Sequence, residues 1–309
     1  YYDEVSNRLQ LSGQSQANPY APPGVPYMQG PLKCHPLAAE VDRVAWSLGY
    51  QPYPTPRGIL TTATRERKAC SDCGYCGAYD CPVGAKASTA DTFLPLAEAT
   101  NRCRVLPGAQ AVEILLNDRG EASGVLILDD KGKRHRVRAA RVVLAASAVE
   151  SARLLLLSRP KGHASGLGNA HGQVGQNLVL SLDAPGRAVY EYPSPLFQEM
   201  VDGRSFLNRS IQDRYLDTDA PGPYPKSGTL ILDRAHRNPI QQVLRAIRDT
   251  AGPLPMGSNL VDLIQRTLID ERAIVYESFV EMLPRAGSHV TLDTKVTDAN
   301  GLPSARITV

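Results

Sequence analysis

The 309-residue sequence predicts an α/β region joined to an α+β region. Hydrophobic residues change from a 3.6-residue period to strict alternation after Ala111, and short alternating runs follow with turn residues between them. Arg141 to Ala146 then reads as an apolar strand of the kind buried on both faces of a parallel sheet, with a helix directly behind it. The second half mixes strands and helices without a repeating βα order.

Taken in order, Tyr1 to Leu11 predicts a short helix, and residues 12–33, rich in Pro, Gly, Ser and Asn, predict a surface loop. Pro36 opens an amphipathic helix with Leu37, Val41, Val44, Ala45 and Leu48 on one face and Gly49 as its stop. Gln51 to Thr62 reads as extended chain. Ala111–Leu116, Val125–Leu128 and Lys133–Arg138 form a β-meander over 111–138, turned at Asn117–Gly120 and Asp130–Gly132. Ser147 starts a helix whose Val149, Ala152 and Leu156 face a core. Asn238-Pro239 caps a helix running through Arg248, and Ser258 caps another ending near Ile269. Strands are expected at Ile274–Met282, Val290–Asp293 and Arg306–Val309. No internal repeat or low-complexity segment is present.

Composition is that of a globular protein with a sizeable core, at 42% hydrophobic and 21% charged. The net charge is +3, and the 34 Lys and Arg read as spread along the chain, without a basic-aromatic tract. Nucleic acid is therefore not an expected partner. No apolar run approaches the roughly 20 residues of a membrane span. The sequence opens Tyr1-Tyr2-Asp3 and stops within an expected strand, which reads as an interior stretch of a longer protein. No compartment is legible in it.

Four of the six cysteines, Cys70, Cys73, Cys76 and Cys81, are spaced C-x2-C-x2-C-x4-C and followed by Pro82. The ferredoxin-type cluster run has one fewer residue before its last Cys and also ends in Cys-Pro. Gly74, Gly77 and Gly84 would let several thiolates converge. Iron–sulfur, tetrahedral zinc, and no metal (disulfides or free thiols) all remain open. Cys34 and Cys103 stand apart and are expected to be buried hydrophobes. His163 and His171, on a Gly/Ala-rich loop, read as solvated. Val142 to Ala146 running into Ser147–Ser151 would let backbone approach a dinucleotide, with the helix N-terminus facing its charge.

These segments occur in a specific order. Tyr-Tyr-Asp and a Pro-rich loop precede Cys-Ser-Asp-Cys-Gly-Tyr-Cys, Cys-Pro-Val-Gly-Ala-Lys-Ala-Ser-Thr and Thr-Phe-Leu-Pro-Leu-Ala. The meander, Leu-Ala-Ala-Ser-Ala-Val-Glu-Ser-Ala-Arg-Leu-Leu-Leu and Gly-Gln-Val-Gly-Gln-Asn-Leu follow. The series resembles the glucose–methanol–choline (GMC) oxidoreductases, closest to their bacterial FAD-dependent sugar, gluconate and polyol dehydrogenases. The likeness covers residues 1 to about 185 and returns over Val290–Ile307, where Asp298-Ala299-Asn300-Gly301-Leu302-Pro303 is typical.

The resemblance implies that residues 1–185 are part of a FAD-binding Rossmann-like domain, with a cysteine-rich loop at 65–90 and the meander as an insertion. Residues 186–309 would then be part of an α+β substrate domain. It implies backbone contact with FAD at Ala111 and Val112, and a close pass of Ala145, Ala146 and Ser147, with Glu150 at the helix start. Ser147 stands where the family usually has Gly, and Val179-Leu180-Ser181 stand where a His is common. The GxGxxG turn is expected before residue 1 and the catalytic His pair beyond residue 309, so no catalytic residue is assigned here. A three-cysteine cluster run maps to Cys70, Cys76 and Cys81, leaving Cys73 as fourth ligand or bystander.

The implied reaction oxidises a CH–OH group of a sugar, polyol or other alcohol, a base taking the proton and flavin N5 the hydride. A cluster would favour a cytochrome or quinone as electron acceptor. The location would be periplasmic for an exported respiratory dehydrogenase and cytoplasmic otherwise. The rival reading is a cysteine-ligated metal-binding interaction module without catalysis.

Overall fold

Contacts divide the chain into two units, each made of two separated stretches. Unit 1 is Tyr1–Cys103 with Ser181–Val280, and unit 2 is Arg104–Leu180 with Glu281–Val309. The computed structural model describes residues 1–21, 23–73, 76, 79–190, 207–216, 228–234, 239–270 and 272–309.

Unit 1 opens with helix α1 (Tyr2–Leu9), whose acidic first turn and basic last turn suit the helix dipole. Helix α2 (Leu37–Ser47) starts after Pro36, as expected, and closes where Gly49 takes φ 81 and donates to the carbonyl of Trp46. Leu37, Ala38 and Val41 pack on Leu207 and Ile274. The predicted apolar face is only half used, since Val44 and Leu48 are exposed, Leu48 at 67%. The two-residue strand β1 (Tyr53–Pro54) and helix α3 (Phe93–Ala99) complete this stretch.

In unit 2 the expected meander is present as β2 (Gln110–Leu116), β3 (Ala122–Leu128) and β4 (Arg134–Arg138), ordered β2-β3-β4 and antiparallel throughout. Helix α4 (Ser147–Leu157) follows. The predicted strand Arg141–Ala146 is not one: this stretch has no ladder partner among the described residues, and Val143 is 88% exposed. An apolar run becomes a parallel strand only with a neighbour to accept its backbone bonds.

Unit 1 resumes with β5 (Ser181–Tyr190), β6 (Arg209–Ile211) and β7 (Gly228–Arg234). Helix α5 (Pro239–Asp249), helix α6 (Ser258–Gln265) with a π turn at Arg266–Asp270, and β8 (Arg272–Glu281) follow. The cap expected at Asn238 lies outside the described residues. The residue capping α6 is Gly257, not Ser258. The strands form one sheet in the order β1-β6-β7-β8-β5. The Arg209 guanidinium grips Asp42 of α2 at 2.6 and 2.8 Å and fixes β6 to that helix.

Unit 2 closes with the hairpin β9 (His289–Thr297) and β10 (Pro303–Thr308). Helix α4 packs on it through Val149 and Ala152, which meet Leu178, Val290 and Ala305. Gly175, in the Gly-Gln-Asn-Leu segment, accepts the Val290 N–H at 2.7 Å with φ 84. A Cβ there would fall 2.2 Å from the Val290 carbonyl oxygen, so only glycine fits.

Arg153 of α4 completes the closure. It donates to Pro303 O at 2.8 Å, Glu150 at 3.1 Å and Asp298 at 2.6 Å. Burial alone would raise the Asp298 pKa. Hydrogen bonds from Arg153, Gln110 and the N–H groups of Leu302 and Asn300 outweigh it and hold the carboxyl well below its usual range. A depressed folded pKa gives stability that is present above the unfolded value of about 3.9 and lost as pH falls through it. Asp298→Asn should therefore lower the unfolding free energy at pH 7 by about 1–3 kcal/mol. In urea titrations, the gap to wild type should narrow below about pH 4.

Candidate functional site

The cysteine loop is built on a short piece of extended chain. Residues 58–60 run antiparallel to 85–87: Leu60 donates to Ala85 O at 3.0 Å, and Ala87 donates to Gly58 O at 2.6 Å. Cys70 N–H donates to Leu60 O at 2.8 Å, so one residue, Leu60, anchors both arms of the loop. Arg67 clasps the far arm, donating to Gly84 O at 3.1 Å and Ala85 O at 2.8 Å. Lys86 reaches across to the carbonyls of Cys76 and Tyr79 at 3.2 and 3.3 Å. Cys70, Cys76 and Cys81 pack on the same apolar cluster of Leu32, Ile59, Leu60 and Ala85. The loop glycines Gly74 and Gly77 lie outside the described residues.

None of the six cysteines forms a disulfide among the described residues. Burial pushes the Cys70 thiol up. Burial, and then the neighbouring Cys70, Cys73 and Cys81, push Cys76 up to about 11. Cys81 moves the other way. Burial opposes its ionisation, but the backbone N–H groups of Lys86, Val83, Ala85 and Gly84 outweigh that and lower its pKa. Cys70 and Cys76 thus feel the charge of the thiols around them. Even so, no three or more His, Cys, Asp or Glu side chains among the described residues stand where a single metal ion could be held. That geometry does not suit zinc, whose thiolates must all lie about 2.3 Å from one ion. An iron–sulfur cluster differs, because each thiolate ligates its own iron. Cys34 and Cys103, expected buried, are exposed, and the Cys34 sulfur rests 3.2 Å from the Arg209 guanidinium.

The six residues expected near a dinucleotide all fall in unit 2. Ala111 and Val112 sit at the start of β2, where the register shifts by one residue and Val112 turns into the core. Ala145, Ala146 and Ser147 are exposed at the entry to α4, and Ser147 has φ 63. Side chains adopt that left-handed conformation at a cost that glycine escapes, which is a physical reason for the glycine usual there. Glu150 does not point its charge freely outward, because its carboxylate is bound to Arg153.

Sequence reading missed a buried polar row in unit 1. Thr55 and Ser210 share a hydroxyl–hydroxyl bond of 2.8 Å, Arg57 pairs with Asp233 at 3.0 Å, and burial pushes Tyr53 up to about 12. Beside them Asn208 is fully buried in the left-handed region, and its carboxamide has no hydrogen-bond partner among the described residues. Strands β1 and β6 are too short for alternation to have exposed this row. His35, also missed, is buried and accepts the Leu37 N–H at 3.1 Å where α2 begins.

The sequence pattern of the GMC oxidoreductase family matches residues 55–183, from the cysteine arm through α4 to the Gly175 segment. The chain belongs to the GMC oxidoreductases. Two curated relatives of this GMC chain are a 6'''-hydroxyparomomycin C oxidase of Streptomyces lividus and a paromamine 6'-oxidase of Streptomyces fradiae. Both are 34% identical to it, over 227 and 228 residues, or 72% of this chain in each case. The chain spans about two-fifths of their length, 41% and 40%. A formate oxidase of Aspergillus oryzae RIB40 shares the fold at TM-score 0.52 and 14% identity, covering 98% of this chain and 56% of its own.

Two outcomes follow for the GMC loop and turn. With iodoacetamide and peptide mapping, Cys81 should be alkylated at lower pH than Cys76, which should approach its full rate only above about pH 11. Equal rates at pH 7 would contradict the loop electrostatics. Ser147→Gly should raise stability by about 1 kcal/mol by relieving the left-handed serine, read as a higher denaturation midpoint.

Proposed function

We propose that the whole protein is an FAD-dependent oxidoreductase acting on a CH–OH group of a sugar, polyol or related alcohol. The observation that carries this reading is the family match over residues 55–183, a stretch holding both the cysteine loop and the small-residue entry to α4. The named activities of the aminoglycoside-oxidising relatives extend the substrate class to amino sugars. In this reading residues 1–185 serve mainly the flavin and residues 186–309 mainly the substrate. The family match weighs against a bare metal-binding module.

The residues fit the flavin. Ala145 and Ala146 present no bulk at the entry to α4, and Ser147 turns the backbone into that helix's first turn. Arg153 draws the Glu150 carboxylate toward itself, partly offsetting its charge beside the partial positive end of α4, where a phosphate would be received. Ala111 and Val112 would meet the adenine end through backbone groups. When bound, FAD supplies the hydride acceptor. These side chains hold and orient; no proton-transfer role is assigned to any of them.

Cys70, Cys76 and Cys81 would hold an iron–sulfur cluster, with Cys73 as a further ligand or a neighbour. Their shared apolar platform and the four amides facing Cys81 support that assignment. Such a cluster would supply one-electron transfer to a cytochrome or quinone acceptor.

The test is a dye-linked assay of the full-length flavoprotein on sugars, polyols and amino sugars, with iron and acid-labile sulfide measured after anaerobic purification. Turnover on this panel is expected, and its absence across the panel would overturn the activity. Cys76→Ser should retain FAD but lose cytochrome reduction at least tenfold. A protein free of iron would remove the cluster and leave the flavin reading standing.

A further inference from the structure

We propose that the exposed face of β4 is a peripheral membrane-docking surface that binds anionic lipid headgroups. Along the whole sequence the basic charge reads as spread out. In fact six of the Lys and Arg residues fall between positions 131 and 141. All five residues of β4 are exposed, and it is the edge strand of its sheet. Its register on β3 sets Arg134, Arg136 and Arg138 opposite Leu128, Leu126 and Gly124, so the three guanidiniums share one face at about 7 Å intervals.

None of these arginines has an ion-pair partner among the described residues. His135, on the other face, is the residue of the strand that is paired, at 2.8 Å to Asp129. Glu113, opposite Leu126 on β2, is a carboxylate on the arginine face, but it stands two strands away, about 10 Å from Arg136. Lys131 and Lys133 extend the charge through the turn into β4.

Edge strands are often guarded by a charged residue, and one would suffice. Three aligned arginines exceed that need. Guanidinium forks match phosphate oxygens in pairs, and a fluid array of headgroups meets an evenly spaced column without demanding a shaped partner. No helix among the described residues is long and apolar enough to cross a membrane, so attachment through this unit would be at the surface. The inference goes beyond the proposed activity, although a bilayer-dissolved quinone acceptor would give it a use.

The experiment is co-sedimentation of the full-length, flavin-loaded protein with phosphatidylcholine vesicles, with and without about 30% phosphatidylglycerol. Binding is expected only with the anionic lipid and should fall with added salt. Replacing Arg134, Arg136 and Arg138 by Gln should weaken it about a hundredfold, at about fivefold per basic group. Arg245→Gln with Arg248→Gln, on α5, should leave it unchanged. If the triple variant misfolds by circular dichroism, Arg136→Gln alone should still cost about fivefold. Absence of sedimentation with anionic vesicles overturns the proposal. So does binding that the β4 substitutions do not weaken, or retention by an acidic protein column without vesicle binding. Because no turnover is measured, these failures are separate from failure of the proposed activity.

Discussion

Unit 2 depends on the buried guanidinium of Arg153. Its two stretches are separated by a hundred residues of unit 1, and a single side chain on α4 reaches the turn between β9 and β10 as well as its own helix. Burial works against the charge, but hydrogen bonds to Asp298 and Glu150 more than restore it. Asp298 in turn is held by Gln110 of β2, and Asn300 also bonds Gln110, so meander, helix and hairpin meet at one ion pair. Removing Asp298 would leave the buried Arg153 with Glu150 as its remaining carboxylate, so the cost is that of the lost charge-assisted bonds. The arrangement also has a chemical consequence. By engaging Glu150, Arg153 partly offsets a negative charge in the first turn of α4, the end where an anion would be received.

The cysteine loop shows the opposite balance. Both arms of its backbone are anchored, yet its thiols are held in conflict: Cys76 is pushed up by burial and by its neighbours, while Cys81 is drawn down by four amides. Such a set resists ionising all its members together without a compensating cation. The clamps on the loop come from Arg67 and Lys86, both directed at backbone carbonyls rather than at sulfur. Both side chains fix the path of the chain without bonding a sulfur.

Much of this was legible in the sequence where local chemistry decides the outcome. The meander followed from alternation and turn residues, and α2 from Pro36 and Gly49. What failed did so for non-local reasons. Val142 to Ala146 were apolar enough for a buried strand, but a strand is a relation between neighbours, and none pairs with them among the described residues. Half of the α2 face was misread because Leu207 and Ile274, which it packs on, lie far along the chain. The row around Asn208 had no periodic signal. The basic column on β4 was present in the letters all along; counting charges over the whole chain hid what strand register brings to one face.

The two candidate chemistries sit on different units. The thiols and their clamps belong to unit 1, whereas Ser147, the alanines before it and the N-terminus of α4 belong to unit 2. The physical meaning of the interleaved chain follows from this. Each unit draws strands from both halves of the sequence, so neither can complete its core from a single continuous stretch.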